Sequence, residues 1–137
     1  MTQSIKHNTD PQDINDLIKL ALKEDIGDGD HSTLSCVPSD AKSKAKLIVK
    51  QDGILAGVAV ASKIFEITAH ELGYEPLQID LLLTDGQAVQ KGDIAFTVSG
   101  SSQLILMSER LVLNIMQRMS GIATYTKLMS DIIADLP

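Results

Sequence analysis

Ser108-Glu109-Arg110-Leu111-Val112-Leu113-Asn114-Ile115-Met116-Gln117-Arg118-Met119-Ser120-Gly121-Ile122-Ala123-Thr124 is the stretch whose reading decides the fold. Together with Leu104 and Met107 just upstream, Leu111, Val112, Ile115 and Met119 recur three and four residues apart, the mark of one buried helical face. Arg110, Asn114 and Arg118, spaced by four, form a polar row on another side of that helix. Ser120-Gly121 predicts an interruption or a kink. A second apolar stripe then runs through Ile122, Tyr125, Met129, Ile132, Ile133 and Leu136. An amphipathic helix of that kind needs a surface to cover it, so the reading expects a partner chain or a domain following Pro137.

Upstream of this helix the period changes from 3.6 to two. Ala45, Leu47 and Val49 alternate with Lys44, Lys46 and Lys50, which predicts a half-buried strand. Asp52-Gly53 suits a two-residue hairpin turn, with Ile54-Leu55-Ala56 returning as the partner strand. Ala61, Ile64, Phe65, Thr68 and Leu72 predict the inward stripe of another helix, with Gly73 as its left-handed cap. Leu77, Ile79, Leu81 and Leu83 predict a further strand. Asp85-Gly86 and Lys91-Gly92-Asp93 then turn the chain through Ala88-Val89 into Ile94–Val98, as short antiparallel strands. Near the start, Asp10 caps a predicted helix with Pro11 at its first position and Ile14, Leu17, Ile18 and Ala21 on its inner face, stopped by Gly27. Residues 1–9 read as a flexible leader, and 10–137 as one α+β domain with a small antiparallel sheet packed on helices.

Composition narrows the function classes. The chain has 137 residues, 44% of them apolar, which is enough for one domain with a real core. Eighteen acidic against twelve basic residues leave a net charge of −6, which disfavours phosphate backbones and anionic lipid as partners. Phe65, Phe96, Tyr74 and Tyr125 are too few aromatics for a base-stacking platform. No apolar run approaches the roughly 20 residues of a membrane span, and the opening MTQSIKHNTD has no hydrophobic signal core. The single Cys36 excludes an internal disulfide and fits a reducing setting, so the expectation is a cytoplasmic domain.

Among candidate chemical groups, Glu24-Asp25-Ile26-Gly27-Asp28-Gly29-Asp30-His31-Ser32-Thr33 is the densest polar cluster. It lacks the distal Glu of a calcium loop, and Asp, Gly and Ser serve turns readily, so no metal site is expected there. Its acids would also repel a phosphate. His7, His31 and His70 fit no ligand or triad spacing, and Cys36 lacks an activating neighbour. Arg110 stands out as a guanidinium beside Glu109 on an otherwise apolar helix; the residues alone favour a surface ion pair or helix-face charge, while its fork would also suit a planar carboxylate. Asn114 and Arg118 extend the same row, either supporting an anionic site or facing solvent. The methionines at 107, 116, 119 and 129 read as packing residues.

Taken together, Ser108–Asn114 and Gln117–Thr124 resemble the N-terminal-domain signature of the quinolinate phosphoribosyltransferases, also called nicotinate-nucleotide pyrophosphorylases (carboxylating). Glu24–Asp30, Asp52–Gly57, and Asp85-Gly86 with Val89 and Gly92 resemble the family at matching intervals. The resemblance implies an N-terminal α/β sandwich followed by a C-terminal β/α barrel, which is absent from these residues. It implies conversion of quinolinate and phosphoribosyl pyrophosphate into nicotinate mononucleotide, pyrophosphate and carbon dioxide, with Mg2+ bound by the barrel. It also implies a homodimer or a hexamer of dimers, with Arg110 reaching a carboxylate of quinolinate in the neighbouring subunit's site. On that reading the chain holds no catalytic residue, no metal ligand and no activity alone. Two alternatives stay open: a biotinyl/lipoyl-like carrier or hinge domain, with Lys91 beside Gly92 at a turn, and a related phosphoribosyltransferase with a different ring acid.

Overall fold

The computed structural model describes residues 11–26 and 31–135. The expected leader 1–9, the Asp10 cap, the Gly27 stop, Leu136, and Asp28, Gly29 and Asp30 of the acidic cluster lie outside them. Among the described residues the chain runs α1 (Pro11–Ile26), α2 (His31–Cys36), β1 (Lys42–Ile48), β2 (Gly53–Ile54), α3 (Val58–Leu72), β3 (Gln78–Leu81), β4 (Ala88–Val89), β5 (Ile94–Ser101) and α4 (Ser102–Ala134).

The sheet follows from the alternation in β1 and β5. β5 is the central strand of an antiparallel sheet ordered β1-β5-β3, so it is covered on both edges. Ala45 pairs with Val98 and Leu47 with Phe96, and Ile79 of β3 faces Val98 from the other side. These residues form the face against the helices, where Phe96 meets Phe65 of α3 edge to face, ring centroids 6.1 Å apart. Lys44, Ser99 and Gln78 form one row of the opposite face, and Lys46, Thr97 and Asp80 the next. Ile64 of α3 and Leu104 of α4 are wholly buried between the layers. Each contributes about 1.5–3 kcal/mol relative to an exposed position. The expected α+β architecture therefore holds.

Several local expectations give way. β1 and β2 do not form a hairpin: β1 pairs with β5, and β2 pairs with β4 through Gly53–Val89 and Ile54–Ala88. Gly53 does not take the positive φ that the expected turn requires. The Asp52 carboxylate instead accepts the Lys91 N–H at 2.7 Å, joining two distant loops. On α1, among the described residues, Ile18 and Leu22 are buried, whereas Ile14 and Leu17 are exposed, because the helix meets its neighbours along a narrower stripe than its apolar content suggests. Leu72 at the end of α3 and Leu81 at the end of edge strand β3 are exposed for a similar reason, lying where the covering layer stops. The end of α3 itself is as expected, with Gly73 at φ 76° and its N–H on the Ala69 carbonyl.

α4 is continuous for 33 residues, without the interruption expected at Ser120-Gly121. The Ser120 hydroxyl engages the backbone of residue 56, and Thr124 bonds its carbonyl, so neither group is available to break the helix. Met119, expected inside, is partly exposed.

Candidate functional site

α4 is pinned at its start by a set of local bonds. The Ser101 hydroxyl caps it by accepting the Leu104 N–H, and the Ser102 N–H donates to the Ala41 carbonyl at 2.9 Å. Buried Gln103 accepts the Tyr74 hydroxyl at 2.6 Å and donates to the Val37 carbonyl at 2.7 Å, tying α4 to the ends of α3 and α2. The Ser43 and Ser102 hydroxyls meet in a short hydrogen bond that ties β1 to the same place.

A second set lies further along the helix. The Ala56 N–H donates to the Ser120 hydroxyl and that hydroxyl donates back to the Ala56 carbonyl, both at 3.0 Å. One turn on, the Ile54 N–H donates to Thr124 Oγ1 at 2.9 Å. This clasp needs backbone laid flat on the helix, and two glycines allow it. A Cβ on Gly53 would stand 2.6 Å from Thr124 Oγ1, and one on Gly57 3.3 Å from Met116 Cα. Gly57 also holds φ 96°, a left-handed conformation natural to glycine. The loop is finished by Asp85, whose carboxylate accepts the N–H groups of Val58 and Ala59 at 2.7 and 3.3 Å at the start of α3.

Between these two sets lie the three residues singled out from the sequence. Arg110, Asn114 and Arg118 are all exposed, and α4 brings them onto one flank. Steps of four place successive members about 40° apart around the helix and about 6 Å apart along it. Val112 and Met116 occupy the opposite, buried side. Two guanidinium groups flanking a carboxamide suit an anionic ligand, and a helix anchored on both sides of them presents them with little freedom to reorient. Glu109 projects from the other flank, into a groove of about 290 Å³ between α4 and β1.

The remaining candidates do not join this row. His70 is exposed on the last turn of α3, Cys36 is exposed, and His7 together with the side chain of His31 lies outside the described residues. Among the described residues no group of three or more His, Cys, Asp or Glu stands together in a way that fits a metal ion. No helix among them is long and apolar enough to cross a membrane. Ser120, Thr124 and Asp85 are the functional-looking polar residues that periodicity missed as anchors. Their signal is the pair of glycines at 53 and 57, of which local pattern assigns Gly53 to a turn and gives Gly57 no task beyond the family resemblance.

Comparison with known proteins agrees with the fold. The family described as "Quinolinate phosphoribosyl transferase, N-terminal domain" matches residues 30–120. A rice protein named nicotinate-nucleotide pyrophosphorylase [carboxylating], chloroplastic, is 45% identical over 120 residues, covering 87% of this chain and 31% of its own. A Synechocystis protein named as a probable nicotinate-nucleotide pyrophosphorylase [carboxylating] is 34% identical, over 85% of this chain and 37% of its own. Among solved structures, NadC from Streptococcus pyogenes superposes with a TM-score of 0.83 at 30% identity, covering 92% of this chain and 43% of that one. The nicotinate-nucleotide pyrophosphorylase from Francisella tularensis gives 0.77 at 30% identity, over 93% of this chain and 44% of its own. The chain thus spans about a third of the length of the curated relatives it matches. The carrier expectation gives way to the family match, and Lys91 is left as an exposed turn residue.

Proposed function

Since this chain belongs to the quinolinate phosphoribosyltransferase family, through that family's N-terminal domain, we propose that it is the substrate-clamping and dimer-forming part of an enzyme that makes nicotinate mononucleotide. The reaction joins quinolinate to phosphoribosyl pyrophosphate and releases pyrophosphate and carbon dioxide. Quinolinate is a pyridine dicarboxylate. Before it reacts, two negative groups must be gripped in a fixed plane, and a planar guanidinium with paired N–H donors does this better than an ammonium.

The observation that carries the proposal is the exposed Arg110 row on a helix anchored on both sides of it. Arg110 supplies the clamp to a carboxylate in the neighbouring subunit's site, and Asn114 and Arg118 support the negative charge from one and two turns further on. The apolar flank beyond Arg118 supplies part of the contact that brings the subunits together. Chemistry at the ribose, and the Mg2+ that neutralises the pyrophosphate, belong to a barrel outside this chain. The chain alone is therefore inactive. The cytoplasm is the proposed setting, although the rice relative is named for the chloroplast.

The test uses the full-length enzyme carrying Arg110→Ala. We expect kcat/KM for quinolinate to fall by about 10² to 10³, the scale of losing one charged contact to the reacting group, with KM for phosphoribosyl pyrophosphate little changed. Mixing that variant with subunits inactivated in the barrel should restore activity in hybrid dimers. No recovery in the hybrids, or an unchanged kcat/KM, overturns the clamp. Nicotinate mononucleotide formed by the purified 137-residue chain overturns the claim of inactivity.

A further inference from the structure

β5 runs directly into α4, so the sheet fixes where the helix starts but leaves open how far it rolls about its own axis. That roll matters for Arg110. A side chain ending about 6 Å from the axis moves by about 1 Å for a roll of about 10°, and a displacement of that size can cost about 10²-fold in rate. Gln103, on the first turn of α4, stands at the foot of the same flank. It precedes Arg110 by two helical turns, which places it about 20° away around the axis and about 10 Å back along it. Gln103 is 5% exposed, and both ends of its carboxamide are engaged. Its Oε1 accepts the Tyr74 hydroxyl at 2.6 Å and its Nε2 donates to the Val37 carbonyl at 2.7 Å. Both partners are themselves held. Tyr74 directly follows the Gly73 cap of α3, its N–H on the Ala69 carbonyl at 2.8 Å, and Val37 directly follows α2, its N–H on the Thr33 carbonyl at 3.0 Å.

We propose that Gln103 and Tyr74 are positioning residues for the reaction, setting the roll of α4 and so the direction in which Arg110 reaches the substrate, a role that rests on Arg110 being the clamp. Burial alone does not call for them, since Leu104 and Ile105 beside Gln103 fill the interior without polar side-chain atoms. A carbonyl only accepts, so the amide NH2 has to face Val37, and the amide oxygen is left for the Tyr74 hydroxyl. A roll of α4 in either direction stretches one of the two bonds and leaves a buried polar group unpaired, whereas an apolar contact would slide. α2 adds to the requirement. With six residues it is too short to hold its place alone, and the Val37 carbonyl is where α4 fixes it. The bonds at Ser120 and Thr124 act from about 15 and 21 Å beyond Arg110, so Gln103 is the nearer control.

The test is a pair of double-mutant cycles in the full-length enzyme. Gln103→Leu keeps the bulk and removes both bonds, and Tyr74→Phe removes a single hydroxyl; each is made with Arg110 present and again with Arg110→Ala. With Arg110 present, Gln103→Leu should raise KM for quinolinate and lower kcat/KM by about tenfold, and Tyr74→Phe by about threefold, with KM for phosphoribosyl pyrophosphate unchanged. With Arg110→Ala, neither change should lower kcat/KM by a further factor of more than about two, because the group they orient is gone. A fall of equal size in both backgrounds overturns the positioning role. So does an unchanged kcat/KM with Arg110 present, or a fall in kcat alone, which would report only a smaller folded fraction. If Gln103→Leu does not fold, the Tyr74→Phe cycle decides. Arg110→Ala by itself separates the two claims. If it leaves kcat/KM for quinolinate unchanged, the clamp falls and the positioning role with it; if it lowers kcat/KM and the Gln103 and Tyr74 effects add to it in full, the positioning role alone falls.

Discussion

The two halves of α4 have similar apolar content and opposite surroundings. Up to Met116 the helix is driven into the core: Leu104, Ile105, Met107, Val112 and Met116 are buried, and Leu111 and Ile115 partly so. From Ile122 onward Ile122, Tyr125, Leu128, Ile132 and Ile133 are half or more exposed, and Met129 somewhat less. Helical geometry places those six in an arc of about 140°, which is the width of a face meant to be covered. The difference teaches that hydrophobic period reports which side of a helix is sticky, while coverage depends on what the chain folds back against it. The first half meets the sheet and α3; among the described residues the second half is tied to the short β2–β4 ribbon and the loop after it, through Ser120 and Thr124.

The sharpest way to break this comparison is to delete the same kind of apolar group from each half. Leu104→Ala removes a wholly buried side chain and should cost about 3 kcal/mol, read as a lowered urea midpoint with an unchanged slope. Ile133→Ala, from a residue 63% exposed, should stay within about 0.5 kcal/mol in the same chain. Equal losses would mean that the second half is covered after all, by self-association. In the full-length enzyme the Ile133 change should instead weaken assembly, visible as a concentration-dependent fall in mass by light scattering.

A smaller effect is expected where the two halves are joined to the ribbon. Gly57→Ala places a Cβ at φ 96° and within 3.3 Å of Met116, so about 2 kcal/mol should be lost. Ser120→Ala and Thr124→Val each leave a main-chain N–H, of Ala56 and Ile54, without its hydroxyl partner, at about 1 kcal/mol apiece. Thr124→Ser keeps the oxygen and should be close to neutral. Hydrogen exchange resolves the location: the hydroxyl losses should speed exchange in the part of α4 beyond residue 119 more than in its buried first half. Uniform acceleration would show that the clasp supports the whole domain instead of its distal helix.

Much of this organisation was legible beforehand, and the exceptions share a cause. Elements whose pattern is set by local physics came through: the two-residue alternation of β1, the Gly73 cap, the Asp85-Gly86 and Lys91-Gly92 turns, and the buried first stripe of α4. The Arg110, Asn114 and Arg118 row was also legible, since four-residue spacing alone places them on one flank. What failed depended on a distant partner. Asp52-Gly53 has the composition of a hairpin, yet Asp52 binds the Lys91 N–H and Gly53 makes room for Thr124. Ser120-Gly121 has the composition of a break, yet Ser120 holds residue 56 across 64 positions of sequence. Side-chain hydroxyls that bind remote backbone leave no periodic trace, so pattern reading assigns them to the nearest turn. The proposed role of Arg110 toward a neighbouring subunit has no local signature either, and only the family resemblance raises it above an ordinary surface charge.

The smallest expected effect runs in the stabilising direction, and it tests whether Gly121 has any task at the junction. It lies inside an uninterrupted helix, and a Cβ built on it meets nothing within 4 Å. A glycine in such a place lowers stability only through the backbone freedom it gains on unfolding. Gly121→Ala should therefore raise stability by about 0.5–1 kcal/mol in the isolated chain, measured as a higher urea midpoint. The same methyl lies within about 20° of the Arg110 direction around the helix axis, on the flank proposed to face the neighbouring subunit. If that flank is tightly covered in the full-length enzyme, the gain should vanish there or turn into weaker assembly while the isolated chain keeps it. A gain of equal size in both contexts would show that the flank at residue 121 stays open to solvent, and would move the proposed subunit contact toward Tyr125 and Met129.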